Sequence, residues 1–320
     1  FGDTFGLKVS ECPWLQDRED AMRVAAKLDI PFHTLDFEEE YARHVLDYFF
    51  REYEAGRTPN PDVMCNSQIK FGVFLDKALK LGADRIATGH YARKSASNEL
   101  LKGVDANKDQ SYFLYRLNQH QLSKALFPVG EYTKPEVREL AKKFGLPNHD
   151  KRDSQGVCFI GHIDLRKFLS QKIKDKPGDI VTVSGQKIGE HTGLFWYTLG
   201  QRKGIRIGGT GPYYVVDKDF KGNRLIVIND PKDERLFTLK VRIDDVNWIA
   251  GEPPPDPLLI KEGGLTGRVR YREKLTQCTV KALGDGRLEV NFGEPQRAVA
   301  PGQSVVLYDG DACLGGGVVC

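Results

Sequence analysis

The stretch "RTPNPDVMCNSQIKF", residues 57–71, sets Cys65 three residues after Asp62, behind a corner built from Pro59 and Pro61. A thiol in the first turn of the helix that follows would meet unpaired N–H groups and the positive end of the helix dipole, both of which favour the thiolate. Asp62 is near enough either to cap that helix or to exchange a proton with a bound substrate. The plainer alternative is a capping aspartate beside a small buried cysteine. A second thiol, Cys158, ends the polar run "KRDSQGVC", which reads as an exposed loop in which Lys151 and Arg152 would stabilise an anionic sulfur. Two loop thiols of one sheet domain can meet over a site, one carrying sulfur as a persulfide and the other attacking or resolving it. Two unrelated buried cysteines are the competing reading.

Other polar groups suit a polyanion. "DANKDQSYFLY" places Lys108, Asp109 and Gln110 just before Tyr112, Phe113 and Tyr115, a trio suited to phosphate and base edges ahead of core aromatics. "RVRYRE" offers Arg268, Arg270, Tyr271 and Arg272, and strand alternation would put the three arginines on one face. That face is either a strip for a nucleic-acid backbone or the solvent side of a sheet edge.

These groups must be held by a protein of ordinary globular composition, 40% hydrophobic and 28% charged over 320 residues, long enough for two or three domains. No apolar run approaches the roughly 20 residues that span a bilayer, so no membrane partner is expected. No signal peptide is visible and the cytoplasm is the default location, with a mitochondrion the alternative if a transit peptide precedes Phe1. The six cysteines, at 12, 65, 158, 278, 313 and 320, form no C-x-x-C pair and no zinc-like spacing, so no metal site is expected. Six are also too few for a disulfide scaffold. Charge is uneven. Residues 1–56 hold 6 Lys/Arg against 13 Asp/Glu, while residues 151–210 hold 11 against 5. A basic middle beside an acidic front fits either a polyanion lying across part of the molecule or a solvated lysine face.

Helices alternate with short strands through the first half. "DREDAMRVAAKL" is amphipathic, "IPFHTLDF" reads as a strand opened by Pro31, and Tyr41, Val45, Phe49 and Tyr53 recur at helical spacing before Gly56. "SQIKFGVFLDKALKLGA" is a further helix and "DRIATGHY" a short strand ending at Gly89-His90. "TKPEVRELAKKFGL" carries a Thr133/Glu136 capping box, Pro135 in the first turn and a stripe of Val137, Leu140, Ala141 and Phe144 expected to be buried. This alternation predicts a parallel α/β sheet with functional loops at the strand carboxyl ends. After residue 161 the texture shifts to short β-like runs around the Gly-rich basic "YTLGQRKGIRIGGTG". From residue 236 only strands and turns remain, including the Asp285-Gly286 turn, which predicts a small antiparallel barrel or sandwich. The expected domains are therefore 1–161, 162–235 and 236–320.

Taken in order, "RTPNPDVMCNSQIKF", "ATGHYAR", "DANKDQSYFLY", "LFPVGEYTKPEVRELA", "KRDSQGVCFIG", "YTLGQRKG", "YYVVDKD", "RVRYRE" and "PGQSVVLYDGDACLGGG" resemble the tRNA-specific 2-thiouridylases, from about residue 17 to the end. The resemblance implies an α/β catalytic domain of the PP-loop, adenine-nucleotide α-hydrolase-like (Rossmann-like) type, a small central α/β domain that binds tRNA, and a carboxyl-terminal β-barrel. It implies ATP-dependent 2-thiolation of the tRNA wobble uridine, with Mg2+ as the counter-ion of ATP and a sulfur-carrier protein or cysteine desulfurase as donor. ATP adenylates O2 of the uracil, a persulfide supplies the sulfur, and a disulfide remains. Position by position, Cys158 matches the persulfide carrier, Cys65 the nucleophile and Asp62 the acid/base. Asn60, Pro61 and Asp62 match the loop at the target base, and Gly89 an ATP contact. His90, Lys108, Asp109, Gln110, Arg270, Tyr271 and Gln303 match tRNA contacts. The family opens with a strand, a Ser-Gly-Gly-Val-Asp-Ser loop and a helix, whose N–H groups hold pyrophosphate. These 320 residues do not contain that stretch, and the expectation is that it precedes Phe1. A non-catalytic tRNA-binding protein of the same fold, without ATP use, is the alternative.

Overall fold

A strict four-residue repeat drifts about 40° per step around a 3.6-residue helix, and the chain takes up that drift by widening a turn. Helices α2 (Glu38–Tyr41) and α3 (Asp47–Glu54) are joined without a break by the π-helical turn Ala42–Leu46, which keeps Tyr41, Val45 and Phe49 all buried. The computed structural model describes residues 14–151, 168–170, 172–205, 207, 211–253 and 264–320. The chain divides into two compact units, Phe1–Asp47 with Pro61–Phe168, and Tyr48–Asn60 with Leu169–Cys320.

In the first unit, α1 (Trp14–Leu28) precedes α2, and α4 (Pro61–Met64) runs through a second π-helical segment, Cys65–Val73, into α5 (Phe74–Lys80). Strand β1 (Ile86–Ala87) pairs in parallel with β4 (Ala125–Leu126), while β2 (Ala92–Lys94) and β3 (Leu100–Lys102) form an antiparallel hairpin. Helix α6 (Gln119–Ser123) is capped by Asn118, and α7 (Lys134–Lys143) starts with the capping box that Thr133 and Glu136 predict. The expected buried stripe of α7 is not found. Val137, Leu140 and Ala141 are only half-buried and Phe144 is 60% exposed. The segment "IPFHTLDF" is not a strand either. Pro31 has no N–H for a ladder, and no described segment pairs with it.

In the second unit, β5 (Gly178–Thr182), β6 (Lys187–His191), β7 (Tyr214–Asp219) and β8 (Arg224–Ile228) form a sheet in the order β6-β5-β8-β7, with β5 and β8 parallel. Its core is Ile180, Leu194, Tyr197, Val215, Leu225 and Val227. Six antiparallel strands follow: β9 (Phe237–Trp248), β10 (Leu265–Arg268), β11 (Thr276–Ala282), β12 (Leu288–Arg297), β13 (Ser304–Asp309) and β14 (Ala312–Val319). The β13–β14 pairing closes them into a barrel around Val241, Ile243, Val290, Phe292, Val305 and Leu307. The Gly315–Gly317 run permits that closure. A Cβ on Gly315 would lie 2.0 Å from the Asn247 carbonyl oxygen, and one on Gly316 2.2 Å from that of Val305.

The "RVRYRE" arginines do not share a strand face. Strand β10 ends at Arg268, which is buried with its guanidinium 5.0 Å from the Tyr308 ring centre. Arg270 and Arg272 lie in the turn beyond, where Arg272 takes φ +68°.

Candidate active site

Pro61 opens helix α4, as its fixed φ and missing N–H favour, so Asp62 occupies the first turn and Cys65 falls one residue past it. This corrects the sequence expectation for Cys65, since only first-turn N–H groups lack intrahelical partners. Cys65 instead begins the π-helical segment, and its side chain is fully buried. Asp62 is half-buried, and its Oδ1 is buried without a hydrogen-bond partner among the described residues. A carboxylate oxygen in that state is costly unless a donor meets it.

Widening a helix to the π form displaces carbonyls from their usual donors, and such segments recur at functional sites. Here side chains take up the slack. Ser67 Oγ donates to the Met64 carbonyl at 3.3 Å, and Gln121 Nε2 donates to the Ser67 carbonyl at 3.3 Å. Asn66, next to Cys65, donates through Nδ2 to the Phe113 carbonyl at 3.3 Å and presents Oδ1 to His90 Nε2 at 3.1 Å. His90 therefore carries its proton on Nε2, and its Nδ1 accepts from Thr88 Oγ1 at 2.8 Å. Burial, with Lys70 adding to it, pushes the His90 pKa down to about 3, so the ring is neutral. The network ties the Thr88–Gly89–His90 loop that leaves β1 to the segment carrying Cys65. A Cβ on Gly89 would meet no heavy atom within 4 Å, so the space beside its backbone is open.

Of the polyanion trio, Asp109 is buried and its Oδ1 accepts from the N–H groups of Gly103 and Ser111, both at 3.1 Å. Gln110 exchanges two hydrogen bonds with the Tyr91 backbone, through its own N–H and its Oε1. Lys108 is half-buried beside them, and Tyr112 and Tyr115 pack in the core as expected. A separate cavity of about 430 Å³ is lined by Arg85, Lys94, Lys124, Ser95 and Asn98, and none of the candidate residues contributes to it.

In the second unit, Arg270 donates from Nη2 to the Ala298 carbonyl and places Nη1 3.7 Å from Glu273, whose pKa burial raises against the pull of Arg270. Tyr271 lies under the Arg272 guanidinium, 5.1 Å from it. Gln303 Nε2 donates to the Thr58 carbonyl at 2.7 Å, two residues before Asn60. Lys218 Nζ donates to the Gly56 and Tyr197 carbonyls, and burial lowers its pKa to about 8. Sequence reasoning passed over Thr58, Asn66, Gln121 and Lys218. The only signal was that Thr58 and Asn66 lie inside "RTPNPDVMCNSQIKF" and Lys218 inside "YYVVDKD". Cys158 and the helix expected at "DLRKFLSQKI" up to residue 167 lie outside the described residues. Among the described residues no group of three His, Cys, Asp or Glu could hold a metal ion, the cysteines at 65, 278, 313 and 320 form no disulfide, and no helix is long and apolar enough to cross a membrane.

The fold and site define a three-part protein: a nucleotide-type α/β domain bearing a buried thiol and a carboxylate on one helix, a small β domain, and a closed barrel. Its parts match three family profiles, the tRNA methyl transferase HUP domain over residues 3–162, the tRNA methyl transferase PRC-barrel domain over 166–229 and the aminomethyltransferase beta-barrel domain over 238–319. The chain is 50% identical over 316 residues to the tRNA-specific 2-thiouridylase MnmA of Marinomonas sp. (strain MWYL1), spanning 96% of this chain and 80% of that protein. It is 48% identical to the enzyme of that name from Stenotrophomonas maltophilia (strain K279a), over 97% and 82%. It is 49% identical to the one from Thiobacillus denitrificans, over 98% and 88%. The chain belongs to the tRNA-specific 2-thiouridylase MnmA family.

Proposed function

We infer that the protein replaces O2 of the tRNA wobble uridine with sulfur. The observation that carries this reading is about half identity to 2-thiouridylases over nearly the whole chain, with Asp62 and Cys65 on one helix. The profile label "methyl transferase" fits less well, because methyl transfer has no need of a thiol pair, whereas sulfur transfer requires one to carry sulfane sulfur and one to release it.

ATP, when bound, supplies the adenylyl group that turns O2 of the uracil into a leaving group. Its contact on this chain is the open backbone at Gly89, with Mg2+ as counter-ion of its phosphates. Asn60, Pro61 and Asp62 face the base, and Oδ1 of Asp62, which has no partner among the described residues, exchanges a proton with it. The terminal sulfur of a Cys158 persulfide attacks C2, giving a base–S–S–Cys158 link as the activated oxygen leaves. The Cys65 thiol then attacks Cys158 Sγ. The bond between the two sulfurs breaks, its electron pair stays on the sulfur now attached to C2, and a Cys65–Cys158 disulfide remains for an external thiol to reduce. His90, Lys108, Asp109, Gln110, Arg270 and Tyr271 line the tRNA path. The sulfur comes from a persulfide-bearing carrier protein or desulfurase, in the cytoplasm.

The test is mass analysis of tRNA after incubation with the full-length polypeptide, ATP and a persulfide-bearing sulfur donor, a cysteine desulfurase with cysteine. The expected product carries one oxygen-to-sulfur exchange at the wobble uridine. A methyl gain, or unchanged tRNA that is nonetheless bound, overturns the reading.

A further inference from the structure

Thr58 is bonded through every polar atom it has. Its N–H donates to the Pro301 carbonyl at 2.8 Å, its carbonyl accepts from Gln303 Nε2 at 2.7 Å, and its hydroxyl lies 2.9 Å from that of Thr198. The neighbouring residues are tied down as well. Lys218 holds the Gly56 carbonyl, and Arg57 Nε and Nη2 each donate to the buried Glu52 carboxylate at 2.6 Å. The groups that do this are themselves fixed. Gln303 N–H donates to Ala300 and its carbonyl accepts from Val319, while the Thr198 N–H donates to Gln201 Oε1. Gly302 takes φ +89°, and a Cβ there would lie 2.9 Å from Thr58 N and 3.0 Å from its carbonyl carbon and oxygen. Only Pro59, whose φ is fixed near −65°, separates Thr58 from Asn60, so the position of Thr58 passes to Asn60 with few soft torsions.

We propose that the Gly302–Gln303 turn of the barrel positions the base-contacting loop at Asn60, with Gln303 acting through Thr58 instead of through a contact with tRNA. The inference rests on the 2-thiouridylase reading and adds a role for the barrel that tRNA binding does not require. A displacement of the loop by about 1 Å would lower the rate on the order of 100-fold without loosening the substrate.

The experiment uses the full-length polypeptide with Gln303→Ala, Gly302→Ala and, as a control for lost stability alone, Val290→Ala in the barrel core. Three quantities are read: equilibrium tRNA binding, single-turnover thiolation at saturating tRNA and ATP, and amide exchange in a peptide covering 56–60. For Gln303→Ala and Gly302→Ala, the saturated rate should fall roughly 10- to 100-fold with tRNA affinity unchanged and exchange at 56–60 increased. Val290→Ala should lower Tm and leave the saturated rate alone. Gly302→Ala removes no group able to bond tRNA, so a shared phenotype cannot arise from a lost contact. Gln303→Ala that weakens tRNA binding at an unchanged saturated rate overturns the proposal, as does a rate loss in Val290→Ala equal to that of the other two. If the unsubstituted protein makes no 2-thiouridine, the functional reading fails separately, and unchanged exchange at 56–60 in Gln303→Ala still refutes the clamp.

Discussion

His90 Nε2 donates to Asn66 Oδ1 at 3.1 Å, across 24 residues of sequence, and so joins the residue after Gly89 to the residue after Cys65. Asn66 satisfies two groups at once, the His90 ring and the Phe113 carbonyl. Asn66→Ala leaves the buried His90 ring without this partner, an orphan that costs about 1–3 kcal/mol, and removes the bond to the Phe113 carbonyl. Urea unfolding should register that loss. Thiolation should fall as well, because the Cys65 segment is released from the Gly89 loop. A variant as stable as the parent would show that the network does not hold the segment.

The same ring predicts a pH dependence. Burial depresses the His90 pKa from 6.5 to about 3, so between those values the unfolded chain binds a proton that the native state refuses. Stability then rises with pH across that window and is lost as pH falls from 6.5 toward 3. His90→Gln keeps an N–H for Asn66 but cannot titrate. Its stability, followed by chemical unfolding between pH 7 and pH 4, should decline less steeply than the parent's. Parallel curves would mean that His90 protonates freely in the folded protein.

Asp62 gives a cleaner separation of fold from chemistry. Its Oδ1 has no partner among the described residues, so Asp62→Asn changes that oxygen's charge without breaking a bond to it. Tm should stay the same or rise, while thiolation falls by roughly 10²–10⁴, the usual worth of a placed acid/base. Retained activity in the asparagine variant would reduce Asp62 to a helix-end residue.

What the sequence disclosed and what it concealed divide along physical lines. The barrel strands were legible because alternation has a period of two and turns such as Asp285-Gly286 interrupt it. The α7 capping box was legible because both partners lie within four residues of chain. Helical spacing found the stretch after Cys65 but could not reveal its π-helical form, whose Ser67 carbonyl is met by Gln121 from 54 residues away. The Thr58–Gln303 bond spans 245 residues and ends on a backbone carbonyl, which carries no residue signature. The α7 stripe and the arginine face failed for a common reason: periodicity says which residues share a side, not whether anything covers that side or where the strand stops.

The two thiols have separable roles, and the order of bond changes exposes them. In the proposed scheme the base is joined to Cys158 through a disulfide-type link until Cys65 attacks. Cys65→Ser should therefore halt the reaction with tRNA covalently attached to the protein, seen as a shifted band on a non-reducing denaturing gel. Added dithiothreitol should cleave the link and release 2-thiouridine. Cys158→Ser should form no such adduct and make no product, yet still consume ATP in a tRNA-dependent way. Since Cys65 is fully buried in the free protein, it should also resist iodoacetamide before tRNA is added. An adduct that survives in Cys158→Ser would reverse the two assignments, and its absence from Cys65→Ser, with product still formed, would remove Cys65 from the release step.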